Sequence, residues 1–135
     1  MRFPFISPTN RKGEGSWMPY LPLELQYKNQ KVTTTALLDT GATVNVLPFS
    51  IGIQLGAIWE DQSISLQLGG NLANFEARAL FIDASIEGFS PVQLAFAWTY
   101  ADNVPVLLGQ TNFFMQFDVL FSRSSLFFEV LPKKT

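Results

Sequence analysis

The residues of this chain best suited to chemistry are Asp39, Thr40, Gly41 and Ala42, which follow the apolar pair Leu37-Leu38. A carboxylate at the end of an apolar strand, followed by a hydroxyl, a glycine and a small residue, can exchange a proton with a water where the backbone comes close. The chain has no His and no Cys. Their absence removes Ser-His-Asp and Cys-His nucleophiles, disulfides and the common zinc sites, because each needs an imidazole or a thiolate. Chemistry must therefore run on carboxylates, hydroxyls or amines, and no metal or other cofactor is implied. An isolated Asp-Thr-Gly is equally a turn in which the Asp side chain bonds its own backbone. Asp102, beside Asn103, and Asp118, at a helix-to-strand junction, read as solvated or capping residues. Asp83, after an apolar strand, is the one rival partner for Asp39, and that pairing would suit sugar hydrolysis by two acids in a monomer. Trp17, Trp59 and Trp98 are far apart in sequence and read as core, not as a sugar platform.

The elements that must position Asp39 are strands. Leu21, Leu23, Leu25 and Tyr27 alternate with Pro22, Glu24, Gln26 and Lys28, the period-two mark of a strand with one buried face. Asn29 and Gln30 turn the chain into Val32 to Leu38, which is rich in β-branched residues and delivers Asp39 at its end. Ile64, Leu66 and Leu68 alternate with polar residues, pass through Gly69-Gly70-Asn71 and return through Phe75, Ala77, Ala79 and Phe81, which reads as a long hairpin with a flexible tip. Val92, Leu94, Phe96 and Trp98 alternate again, and Val104 to Leu108 is an apolar run that stops at Gly109. Thr111 to Phe117 fits one or two helical turns, and Val119 to Phe121 with Leu126 to Leu131 fits a last hairpin around Ser122 to Ser125. Strands dominate, so the expected fold class is mostly β, a small barrel or sandwich.

The length of 135 residues suits a single domain. With 47% hydrophobic and 15% charged residues, the chain can bury enough apolar surface to offset its ordering entropy. Its formal net charge is −2 and its Lys and Arg are scattered, so no basic stripe awaits a phosphate backbone and no nucleic-acid partner is expected. Met1 to Trp17 lacks the apolar run of a secretory segment, and no stretch approaches the roughly 20 apolar residues of a membrane span. No membrane partner is expected, and a soluble cytoplasmic protein is. Ser7 to Ser16 read as a loop or mobile arm. Residues 1–20 are accordingly taken as an N-terminal arm and 21–135 as the folded domain.

An acid loop, a hairpin with a Gly-Gly tip, then Val106-Leu107-Leu108-Gly109 before a short helix is an order of elements that resembles the retropepsin-like aspartic proteases. The resemblance runs from about Leu21 to Phe128, and the Met-Arg-Phe-Pro start and Asn112-Phe113-Phe114 are more similar to the short bacterial members than to the viral ones. It implies a small closed β-barrel with one short helix and one lobe per chain. It also implies a homodimeric aspartic endopeptidase acting on peptide or protein substrates with an acidic pH preference, since each chain supplies one Asp-Thr-Gly and the chemistry needs two carboxylates around a water. Asp39 would be the catalytic residue. Thr40, Gly41, Ala42 and Gly109 would support the site, Gly69, Gly70 and Leu72 would form a flap over the substrate, and Val104, Pro105 and Leu107 would line subsites. Taken singly, Gly69-Gly70 also reads as a plain hairpin turn and the apolar residues as core. The arm and the Leu126 to Thr135 end are candidates for an interfacial sheet. Viral members carry an Asp after the Ala of the first motif and an Arg after the Gly of the second; Thr43 and Gln110 stand there, a joint replacement that leaves neither charge stranded. Viral flaps are also richer in Gly than Leu68 to Phe75. A peptide-binding or dimerisation module on the same β-fold, without cleavage, is the alternative function.

Overall fold

The computed structural model describes residues 1–7 and 17–133. Beyond Ser7 the loop expected over Ser7 to Ser16 lies outside the described residues, as do Lys134 and Thr135.

The alternating segment forms β2 (Tyr20–Tyr27), which follows a short first strand, β1 (Arg2–Pro4). Leu21, Leu23 and Leu25 are buried, while Pro22 faces out. Each such leucine contributes about 1.5–3 kcal/mol by leaving water, which fixes the face that β2 turns inward. A tight turn with Lys28 in the left-handed region (φ 53°) leads to β3 (Gln30–Leu38), antiparallel to β2 over its whole length. Next come β4 (Asn45–Leu47), β5 (Ser65–Leu66), β6 (Ala77–Ser85), β7 (Val92–Thr99) and β8 (Val106–Leu108). The order β2-β3-β8-β4-β7-β6 closes when Glu24 to Gln26 of β2 pair with Ser85 to Asp83 of β6. The result is a closed six-stranded barrel, mostly β, as the sequence led us to expect.

The insertion of β8 decides where the acid sits. Ala36, Leu37 and Leu38 of β3 run parallel to Val106, Leu107 and Leu108, while Val46 of β4 pairs with Leu107 from the other side. The strands before and after the Asp39 loop are thus held apart by a third strand from late in the chain, and β4 in turn runs parallel to β7.

Two short α-helices are present among the described residues where one was expected. The expected one is α2 (Phe113–Gln116). The other, α1 (Phe49–Gln54), follows Pro48 and begins with the Ser50 N–H donating to the Asp102 carboxylate at 2.8 Å, so Asp102 serves as a cap. Gly52 lies against the fully buried Trp98 indole, whose Nε1 donates to Phe49 O at 3.1 Å; a Cβ at Gly52 would overlap the ring. The last hairpin is β9 (Phe117–Ser122) and β10 (Phe127–Pro132), joined by a 3-10 turn over Arg123–Ser125. β1 pairs with β10, completing a separate three-stranded antiparallel sheet. Phe3 stacks on Phe128 with ring centroids 5.4 Å apart, and Phe3, Phe5 and Phe128 belong to the main core with Leu21, Phe96, Trp98 and Phe113. The start of the chain is therefore packed into the body. No helix among the described residues is long and apolar enough to cross a membrane.

The hairpin before β6 is much shorter than its alternation suggested: only Ser65 and Leu66 pair with β6. Leu68 is buried in a small cluster with Val46, Ala77 and Ala97, which pulls the chain inward. The tip then closes on itself, with the N–H groups of Leu72, Ala73 and Phe75 bonding to Gly69, Gly70 and Leu72. Gln67 Nε2 donates to Ala73 O at 3.1 Å and ties the tip to its entering strand.

Candidate active site

Asp39 is half-buried where β3 ends. Its own N–H donates to Leu108 O at 3.0 Å, its carbonyl accepts from Ala42 N–H at 3.1 Å, and its Oδ1 accepts from Gly41 N–H at 2.9 Å. The last bond is the turn geometry that the isolated tripeptide allowed, and it orients the carboxylate. A Cβ on Gly41 would sit 3.3 Å from that oxygen, so a bare backbone suits this approach.

The far side of the loop is bound to the segment after β8. Gln110 N–H donates to Ala42 O at 2.9 Å and Thr111 N–H to Thr43 O at 2.8 Å. Gln110 Nε2 donates to Thr40 O at 2.7 Å, so the residue standing where viral members have Arg does hydrogen-bond the acid loop, through Thr40 and not Thr43. Gly109 is buried between these partners, where a Cβ would lie 2.6 Å from Val44 O and 2.7 Å from Ala42 O. Both obstacles are backbone, which no side-chain rearrangement relieves.

Asn45 is fully buried immediately after the loop. Its Oδ1 accepts from Gly109 N–H at 2.9 Å, and its Nδ2 donates to Ala95 O at 3.0 Å and to Asn112 Oδ1 at 3.3 Å. Asn112 Oδ1 also accepts from Ala95 N–H at 3.0 Å. Leaving the buried Gly109 N–H without its acceptor would cost about 1–3 kcal/mol. Neither asparagine was singled out as a site residue from sequence. The available signal was Asn45 interrupting the apolar run Val44 to Leu47, since a polar side chain inside a buried strand must find partners.

Asp39, Gly41 and Ala42 share a cleft of about 460 Å³ with Leu68, Gly69, Gly70, Asn71 and Leu72, and with Val44, Val46, Val104 and Leu107. Of the expected residues, Gly69 and Gly70, Leu72, Val104 and Leu107 thus gather around Asp39. Pro105 is exposed and does not line the cleft. Gly109 lies behind the loop. Among the described residues Asp39 is the only ionisable one lining the cleft, so the walls they form are otherwise apolar or neutral. Thr40 instead lines a second hollow of about 300 Å³, which also reaches Asp39 and includes Phe5, Trp17, Met18, Phe121 and Arg123. Asp83, the rival carboxylate, is an exposed β6 residue opposite Gln93 and lines neither hollow.

Among solved structures, the chain is similar to a retropepsin-like aspartic protease from Rickettsia conorii, with 15% sequence identity, 97% of this chain and 98% of that chain covered, and a TM-score of 0.62. It is also similar to the EIAV protease complexed with the inhibitor HBY-793, with 19% identity, 76% and 88% covered, and a TM-score of 0.50. No protein-family model matches the sequence, and no curated protein matches it. At these identities the likeness establishes the fold: the chain has the retropepsin-like fold.

Proposed function

We propose that the chain is an aspartic endopeptidase active as a homodimer, with Asp39 of each copy forming the catalytic pair. The observation that carries this reading is the Asp39 carboxylate, oriented by Gly41 N–H in a cleft that it shares with Gly69, Gly70 and Leu72 and that no other ionisable group among the described residues lines. One Asp-Thr-Gly per chain leaves the second carboxylate to come from a second copy. The hollow beside Thr40, with Trp17 at 47% and Phe121 at 38% exposure, supports an apolar face that a second copy would cover. Two carboxylates meeting at a two-fold axis cannot both ionise comfortably, an effect for which aspartic proteases are the familiar illustration, so the pair keeps one proton.

In the reaction, the ionised Asp39 takes a proton from water as the water oxygen attacks the peptide carbonyl carbon. The protonated Asp39 of the other copy donates to the carbonyl oxygen. The tetrahedral gem-diol then breaks its C–N bond as the Asp39 that took the water's proton donates it to the nitrogen and a gem-diol hydroxyl returns its proton to the other Asp39, so the pair again shares one proton. Gly69, Gly70 and Leu72 would cover an extended peptide and offer main-chain hydrogen bonds, while Val104 and Leu107, with Val44 and Val46, would receive uncharged apolar side chains. Thr40 would brace the two acid loops against each other. The absence of cysteine suits the reducing cytoplasm.

The test is hydrolysis of a peptide library at several pH values by wild type and Asp39→Asn. The reading predicts cleavage between apolar residues, strongest at acidic pH, and none by a variant that remains folded. Cleavage retained by Asp39→Asn would rule the mechanism out, and peptide binding without new termini would favour a module that only binds.

A further inference from the structure

The mechanism asks the Asp39 loop to hold its carboxylate in one orientation, yet the contacts within the loop are few. Most of what fixes it comes from the segment 108–111, where Leu108 O accepts from Asp39 N–H and the Gln110 and Thr111 N–H groups donate to Ala42 O and Thr43 O. That segment is held in its turn. Gly109 N–H has the side chain of Asn45 as its acceptor, and Asn45 is gripped from behind by Ala95 O on β7 and by Asn112 Oδ1.

Asn112 adds an independent observation. Its backbone is at φ 83° and ψ −61°, a conformation near the rare γ-turn of the strained hand, immediately before α2. A non-glycine residue keeps such a conformation only where its surroundings over-determine it, and such strain collects at functional sites. Here the strained backbone delivers one amide oxygen to two donors at once, Ala95 N–H and Asn45 Nδ2. The Asn45 amide has partners at both its oxygen and its nitrogen, and no buried side-chain polar atom among the described residues lacks a partner.

We propose that the pair formed by the buried Asn45 amide and the half-buried Asn112 amide is the positioning device of the Asp39 loop, a clamp that sets how Gly109 and the residues after it meet the loop and therefore where the carboxylate points. Neither asparagine lines the cleft, so the pair acts through Gly109 and not on substrate. The proposal rests on Asp39 being the catalytic acid, but the clamp has a readout that does not.

The readout is amide hydrogen exchange of Gly109, Gln110 and Thr111 in the full ¹⁵N-labelled chain, measured beside steady-state hydrolysis of an apolar peptide. Asn45→Leu keeps the size of the side chain and removes both its acceptor and its donors. It is expected to speed exchange at Gly109 by about tenfold or more relative to β2 amides. It is also expected to lower kcat by about 10- to 100-fold, the scale set by small misplacements of reacting groups, with KM changed less than about twofold. Leu25→Ala, a core truncation on β2 away from the clamp, is the control for lost stability and should leave kcat within about twofold of wild type. Wild-type kcat or unchanged exchange at Gly109 in Asn45→Leu would overturn the proposal, as would an equal loss of kcat in the control. If Asn45→Leu does not fold, Asn112→Gly decides by the same measurements, because glycine accepts the φ of 83° and only the shared acceptor is lost. A wild-type protein that cleaves nothing would sink the protease reading, and the exchange rates would still test the clamp.

Discussion

Replacing Gly109 by alanine adds a single carbon atom at the tightest backbone approach around the site. That Cβ would stand 2.6 Å from Val44 O, 2.7 Å from Ala42 O and 2.9 Å from the Val44 carbonyl carbon. To restore ordinary contact at 3.4 Å, the end of β8 and the acid loop would have to part by roughly 0.8 Å, because close-packed backbone has no slack. The bonds from Gln110 to Ala42 and from Thr111 to Thr43, now 2.9 and 2.8 Å, would then stretch to the limit of hydrogen bonding. Overpacking of this kind costs about 1–3 kcal/mol. Restricting the unfolded chain returns about 0.4–1 kcal/mol, since Gly109 does not lie in the left-handed region. The net loss is about 1–2 kcal/mol, which for a domain of this size lowers the melting temperature by roughly 3–10 °C. Displacing the carboxylate by most of an ångström should lower peptide hydrolysis by about 100-fold. Thermal melts followed by circular dichroism, with hydrolysis measured well below the melt, read both effects. Gly69→Ala is the internal control: nothing lies within 4 Å of its added Cβ, and its melt should shift by less than about 0.5 kcal/mol equivalent. If Gly109→Ala melts with wild type and cleaves at the wild-type rate, the close approach behind the loop does not exist.

Three other substitutions separate the parts of the fold. Gly52→Ala should lose about 1–3 kcal/mol by pushing α1 off Trp98, and a shift in tryptophan emission should accompany the lower melt; unchanged emission and melt would contradict the packing. Phe128→Ala removes the fully buried ring on which Phe3 stacks, and chemical denaturation should report a loss of about 3–5 kcal/mol; a loss below 1 kcal/mol would mean that the three-stranded sheet contributes little to the core. Gln110→Met deletes an exposed bond to Thr40 O, so stability should change by no more than about 1 kcal/mol while hydrolysis falls; full activity would mean that Gln110 does not brace the loop.

The strands were readable wherever one face is buried and the other is not. Leu21, Leu23 and Leu25 in β2 and Leu94, Phe96 and Trp98 in β7 turn inward as their alternation requires. The 117–132 hairpin was readable for the related reason that a short polar link separates two apolar runs. The pairing of β8 between β3 and β4 cannot be read from local pattern, because it joins residues far apart in the chain. α1 was missed because Ser50 and Gly52 are poor helix formers, and the glycine is there for the Trp98 indole and not for the helix. The flap ladder was read too long because alternation at Leu66 and Leu68 is also satisfied when Leu68 turns into a separate apolar cluster. Of the candidate site, Asp39-Thr40-Gly41 drew attention by its residue types and Gly109 was placed behind the loop only through the resemblance, whereas Asn45 and Asn112 were not singled out, since an asparagine near a turn is the commonest of residues and its partners are visible only in three dimensions.

The central claim is that cleavage needs an Asp39 from each of two chains. Co-refolding equal amounts of wild type and Asp39→Asn at fixed total concentration tests it directly, with the mixture assayed on an apolar peptide. Random pairing leaves about one quarter of the dimers with two intact acids, so the mixture should show about one quarter of the activity of the same amount of wild type. Activity of one half, the value for independent chains that each carry a complete site, would contradict it.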